Sequence, residues 1–240
     1  MKNHEFVEIG GVKWATMNVG ANSITDTGLY FQWGDTQGYT ADQVGSGEGQ
    51  KFFNGADYKF GNGTLYPDDT EITKYNLTDN KTVLDASDDA VTAAWGGNCR
   101  MPTKDEYVAL GNAVNTVWTA DYQGSGVAGL VCTDKNDSSK VLFFPACGYC
   151  SWGSVQDVNI YGYYWASSLN SSNISEVFLF DLRGRRGRDD VVKWDAVGQR
   201  QVGQPIRGVI DETPLSTVAY SGDYNDLSNK PSLTDYVQKS

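Results

Sequence analysis

The sequence predicts an α+β fold with two helices, short antiparallel strands and long loops. Three observations carry that prediction. Helical signals fall early, over residues 85–95 and 103–114. Seven short strand-like runs follow residue 115, separated by Gly, Asn, Ser and Asp. Helices followed by strands argue for segregated layers, whereas strict alternation would argue for a wound parallel sheet. Glycine, at 27 of 240 residues, supplies the turns that so many short elements need.

Taken in order, Phe6–Met17 contains two alternating runs around Gly10-Gly11, which signals a β-hairpin. Thr27–Gly34 is a second aromatic, strand-like run. Residues 36–86 are rich in Gly, Asp, Thr and Asn, lack periodicity, and read as loops carrying short pieces of structure. The first helix, Asp85–Trp95, has Ser87 or Asp88 as its cap. The second follows Pro102: Thr103 caps it, Glu106 reaches back, and Tyr107, Val108, Leu110, Ala113 and Val114 form its apolar face. Strands are predicted at 117–122, 129–133, 141–145, 163–167, 176–182, 191–194 and 205–210. Beyond Asp211 the chain turns polar, with Pro214, Ser216, Ser221-Gly222, Asn225, Ser228 and Pro231. The expected organisation is one domain over 1–211 and a linker or oligomerisation segment over 212–240.

Composition narrows the function. Nineteen Lys and Arg stand against 30 Asp and Glu, a net charge of −11, so nucleic acid is a poor partner. No apolar run approaches a membrane span, and Met1-Lys2-Asn3-His4-Glu5 carries no signal-peptide pattern. The single histidine, His4, weighs against a His-based triad, metal site or general base. Cys147-Gly-Tyr-Cys150 has the C-x-x-C spacing, but it lacks the strand-to-helix context of a redox motif. Cys99 and Cys132 lie too far apart to complete a zinc set. Ordinary thiols are the favoured reading, ahead of a disulfide or a metal. No cofactor is expected; Ca²⁺ at Asp68-Asp69 or Asp88-Asp89 is the one exception weighed, and neither pair has a complete ligand spacing.

Several stretches together resemble one family: Trp14-Ala15-Thr16-Met17-Asn18-Val19-Gly20-Ala21, Tyr30-Phe31-Gln32-Trp33-Gly34-Asp35, Trp95 to Glu106, Leu142 to Tyr149 and Tyr164-Trp165-Ala166-Ser167-Ser168. They are similar to the Fibrobacter succinogenes major paralogous domain, a family common in gut Bacteroidetes and their phages and allied to the C-type lectin-like and formylglycine-generating-enzyme-like folds. Cys99 departs from the pattern, where the family more often has an aromatic. The resemblance implies a C-type lectin-like fold with paired terminal strands, closed by Gln204-Pro205-Ile206-Arg207-Gly208-Val209, and a binding face on the late loops.

The segment from Cys147 to Arg207 also resembles the variable regions of retroelement-diversified proteins. That resemblance implies a frame (Gly148-Tyr149, Val158, Gly162, Tyr164 to Asn170, Phe180 and Gln204 to Arg207) around exposed, rewritten positions. Such rewriting does not yield Trp or Lys if the third base stays a pyrimidine, so Trp152, Lys193 and Trp194 count as frame. The tail, Val218 to Leu233, resembles a phage tail-fibre motif, which implies a homotrimer through the C-terminal segment.

Within 183–207, seven basic residues (Arg183, Arg185, Arg186, Arg188, Lys193, Arg200 and Arg207) face three acids, a local net of +4 that would steer an acidic ligand. Tyr149, Trp152, Tyr161, Tyr163, Tyr164, Trp165 and Trp194 supply rigid aromatic area, as paratopes do and as sugar faces require. Core packing is the competing reading, favoured for Trp165. A solvated hairpin competes for the arginines, and a structural role is favoured for Arg207, with a buried acid as the partner weighed.

The expected ligand-binding set is Tyr149, Cys150, Ser151, Trp152, Tyr161, Tyr163, Asn173, Arg183, Arg185, Arg186, Arg188, Asp189, Asp190, Val192 and Asp195, with no catalytic residue or metal ligand. The expected function is a non-enzymatic receptor-binding module of a phage tail or fibre, in the virion, recognising a bacterial cell-surface protein or glycan, with no nucleic acid or membrane partner. The alternatives are a secreted or surface-anchored adhesin of the same fold and, remotely, a cysteine-dependent oxidoreductase.

Overall fold

The predicted opening hairpin forms: β1 (Phe6–Ile9) pairs antiparallel with β2 (Val12–Asn18), and Ile9 faces Val12. Gly10 and Gly11 both have positive φ, 63° and 78°, the conformation a two-residue turn requires between right-twisted strands. This is a computed structural model, and it describes residues 5–68, 70–184 and 191–210. The expected segment 212–240 therefore lies outside the described residues.

After a long irregular stretch come α1 (Ala90–Trp95), β3 (Cys99–Arg100) and α2 (Lys104–Ala113). Then follow β4 (Val114–Thr119), β5 (Gly129–Asp134), β6 (Val141–Pro145), β7 (Tyr149–Ser151), β8 (Ser154–Gln156), β9 (Tyr161–Leu169), β10 (Glu176–Arg183), β11 (Val191–Gln199) and β12 (Arg207–Ile210). The class is α+β. Among the described residues the sheets are small and antiparallel, in the orders β1-β2-β12-β3, β4-β5-β6, β7-β8 and β11-β10-β9. The first of them pairs the two ends of the domain, with Arg207 opposite Asn18 and Val209 opposite Trp14.

Local chemistry explains the differences from the predicted elements. Asp89, not Ser87 or Asp88, caps α1, and its carboxylate accepts from the Val91 and Thr92 amides at 2.9 Å. Asp88 is drawn inward instead, where Lys59, Lys74 and the Tyr75 hydroxyl all donate to it. The strand expected over Thr27–Gly34 is reduced to single bridges, Tyr30–Tyr39 and Phe31–Gln204, because side chains rather than a ladder fix it. The Trp33 indole donates to the Ala166 carbonyl, and the Trp165 indole donates back to the Phe31 carbonyl, both at 2.8 Å. Val114, read as helical, begins β4 with extended dihedrals.

The core has two principal parts. One lies between α2, β5–β6 and one face of β9–β10–β11, and holds Tyr107, Leu110, Leu130, Phe144, Tyr164, Phe180 and Leu182. Gly111 of α2 makes room for it: a Cβ there would lie 2.5 Å from the Trp194 indole. The other packs Trp165, Val177 and Leu179 beneath aromatics of the irregular stretch, Trp33, Phe60 and Tyr75. Burying a large apolar side chain contributes about 2 kcal/mol, so rings supply the cohesion that periodic elements lack there.

Arg207 is buried, and among the described residues it meets no acid. Its fork donates to Asn18 Oδ1 and to the carbonyls of Ala15, Thr16 and Phe143 at 2.8–3.0 Å. The expected buried acid partner is thus corrected to four neutral acceptors across the paired terminal strands.

Candidate functional site

Registers within β9–β10–β11 place two rows of side chains across three strands. Tyr161, Arg183 and Val191 form one row, and Tyr163, Asp181 and Lys193 the next. Directly opposed residues share a sheet face, so both rows point the same way. Arg183 Nε lies 2.9 Å from both Asp181 oxygens, and Nη2 lies 2.6 Å from Oδ2. The Arg183 guanidinium also lies 5.6 Å from each of the Tyr161 and Tyr163 ring centres. Tyr149 of β7 meets Tyr163 edge-on at 5.6 Å. Burial pushes the Tyr163 phenol up to about 12, against the lowering effect of Arg183, so the ring stays neutral. Half-buried phenols around an internally neutralised ion pair therefore make this patch aromatic more than cationic.

The β7–β8 hairpin extends the patch. Its turn is Trp152-Gly153, with φ of 52° and 68°. Asn or Asp is the favoured first residue of such a turn, and a non-glycine residue in the left-handed region costs about 1 kcal/mol or more. Trp152 is nevertheless there and 45% exposed. Its indole meets Phe52 at 6.0 Å and Tyr66 at 5.7 Å. The Gly153 amide donates to the Phe52 carbonyl at 2.6 Å, which docks the hairpin tip on the irregular stretch.

The structure brings together Tyr149, Tyr161, Tyr163 and Arg183, sets Ser151 and Trp152 farther along the β7–β8 hairpin beside Gln199, and leaves Asp195 exposed on β11 beside an irregularity in the β10–β11 register. Two expectations on the described residues are corrected. Cys150 is fully buried against Tyr30 and Phe53, because alternation along β7 turns it inward between Tyr149 and Ser151. Val192 pairs with buried Leu182 and packs on the core with Trp194, which stacks on Phe180 at 4.3 Å. Asn173 is exposed in the β9–β10 turn, at the end of the sheet where Glu176 pairs with Gln199 and away from Tyr161 and Arg183.

Arg185, Arg186, Arg188, Asp189 and Asp190 lie outside the described residues. The local positive excess also changes character. Arg200 is buried, bonded to the Tyr58 hydroxyl and the carbonyls of Lys74, Tyr75 and Ile174, and is scaffold like Arg207.

The sequence reading missed Tyr66, Asn54, Gln199 and Gln201, which surround Trp152. Tyr66 and Asn54 come from a stretch without periodicity, and no local signal ties it to residue 152. Alternation along β11 was the signal available for Gln199.

The four cysteines are free thiols, with Cys132, Cys147 and Cys150 buried. Burial raises the Cys147 and Cys150 pKa values, which makes both poor nucleophiles. Asp69 lies outside the described residues, and Asp68 accepts from Thr70. Of the other pair weighed for Ca²⁺, Asp88 carries two lysines and a tyrosine, while Asp89 accepts backbone amides on both oxygens. No family model, curated protein or solved structure matches this chain.

Proposed function

We propose that the chain is a non-enzymatic recognition module of C-type lectin-like fold. It acts as the receptor-binding part of a phage tail or fibre and recognises a bacterial cell-surface molecule through β7–β8, the outer ends of β9 and β10, and β11. The observation that carries this reading is the aromatic patch of Tyr149, Tyr161 and Tyr163 around Arg183, continued to Trp152 on one hairpin. Tyr and Trp give large contact area with few rotors to freeze, the economy of a binding surface. A packed sheet and hairpin hold the patch, so its side chains can change with little cost to the core. The cysteines argue against the oxidoreductase alternative, since their thiols are buried and carry raised pKa values.

The test is binding of the purified chain to cells of a gut Bacteroidetes panel, with Tyr161→Ser and Lys193→Glu variants and a Val117→Ser control on the exposed part of β4. Strain-selective binding should fall several-fold in the first two variants and persist in the control. Equal binding by all four proteins would remove the patch from the site.

A further inference from the structure

We infer that the tip of the β7–β8 hairpin is a subsite for a neutral sugar ring. This inference rests on the recognition reading above and names its ligand class. Trp152 and Tyr66, 45% and 67% exposed, present adjoining aromatic surfaces with ring centres 5.7 Å apart. Beside them opens a recess of about 20 Å³, lined by Asn54, Ser151, Gln199 and Gln201 among others. That volume holds roughly one water or one hydroxyl group, so the ligand rests on the surface and inserts a single polar substituent.

The polar groups have the right complement. Gln201 Nε2 donates to Gln199 Oε1 at 3.3 Å, which leaves Gln199 Nε2 as a donor and Gln201 Oε1 as an acceptor. Asn54 Oδ1 accepts from the Asp57 amide, which leaves Nδ2 to donate, and among the described residues the Ser151 hydroxyl has no partner. A sugar hydroxyl both donates and accepts, and the apolar C–H face of a pyranose matches an aromatic ring. Among the described residues no charged side chain lines the recess, and the whole chain carries −11, so an anionic sugar finds no counter-charge among them. The backbone supports the same reading. An aromatic residue occupies the strained first position of the turn, where Asn is preferred, and strain retained at an exposed position points to use.

The turn supplies a clean variant. Trp152→Asn creates the preferred Asn-Gly pair, so the fold should be kept or strengthened while the platform is lost. Binding of the 240-residue chain is measured on the gut Bacteroidetes cell panel, untreated, after periodate cleavage of vicinal diols, and after protease. The expected result is binding that resists protease, disappears after periodate, and weakens roughly tenfold or more in Trp152→Asn and in Tyr66→Ala at unchanged thermal stability. Binding that survives periodate, or that Trp152→Asn retains in full, overturns the sugar subsite. If that surviving binding still falls in Tyr161→Ser, the recognition reading stands without it. Absence of binding to every untreated strain removes both.

Discussion

The Arg183 side chain shows how one residue can mislead a charge count. It lies in an Arg-rich run, yet its fork closes on Asp181, a carboxylate only 2% exposed at the side chain. Removing the arginine strands a buried charge, which costs about 3 kcal/mol, whereas removing both partners costs less. Arg183→Ala should therefore destabilise by about that much in urea unfolding, and Asp181→Asn combined with Arg183→Ala should recover part of the loss. A loss in the double variant equal to the sum of the Asp181→Asn and Arg183→Ala losses would show that the residues act independently. A binding defect in any Arg183 variant must accordingly be read beside its stability, which makes Tyr161 and Lys193 the better probes of the face. Cys150 and Val192 mislead for another reason: alternation along β7 and β11 turns them inward, and composition alone does not reveal it.

Among the elements, α2 was the most legible, because its signal is local. Thr103 Oγ1 accepts from the Glu106 amide at 3.2 Å, and Glu106 Oε2 accepts from the Thr103 amide at 2.7 Å. Glu106 also receives the Arg100 fork at 2.7 and 2.8 Å, a tie the capping pattern does not show. Thr103→Ala should cost about 1 kcal/mol, a fall of roughly 3 °C in Tm for a chain of this size. Glu106→Gln should cost more, since it also weakens the contact with Arg100. A smaller loss for Glu106→Gln than for Thr103→Ala would contradict that double role. The opening hairpin, β5, β6 and β10 were similarly legible from alternation and turn residues. The β7–β8 hairpin was not, because its strands span only three residues each and its turn carries Trp where Asn would have announced it.

Across the whole molecule, the α+β class followed from element order. The second core part did not, because Trp33, Tyr58 and Tyr75 are brought to Trp165 by contacts far apart in sequence. Charge couples the same region to pH. Hydrogen bonds from Lys74 and Lys81 lower the Asp85 pKa from 3.8 to about 2. Burial works to raise Asp88, but Lys59, Lys74 and Tyr75 outweigh it and hold its pKa below 3.8. Burial likewise opposes Arg100 and Thr103 at Glu106, and the net shift is again downward.

A carboxylate whose folded pKa is depressed stabilises fully above its unfolded pKa and loses that contribution as pH falls through the folded value. Asp89 works the other way. Burial raises its pKa against three backbone donors, so its contribution is complete below 3.8 and declines as pH rises. With Asp85, Asp88 and Glu106 set against Asp89, Tm should fall as pH drops from about 4 to about 2. Lys74→Met should flatten that fall, and an unchanged acid profile in this variant would contradict the assignment.

The described helices are too short to cross a membrane, and the recognition account concerns one face of the molecule. Its most direct test is backbone hydrogen exchange of the whole chain, with and without outer-membrane vesicles from a strain that binds it. The account predicts slowed exchange over residues 149–163 and 191–199, with the β1-β2-β12 sheet unchanged. Protection centred on the paired terminal strands, or none beside demonstrable binding, would contradict it.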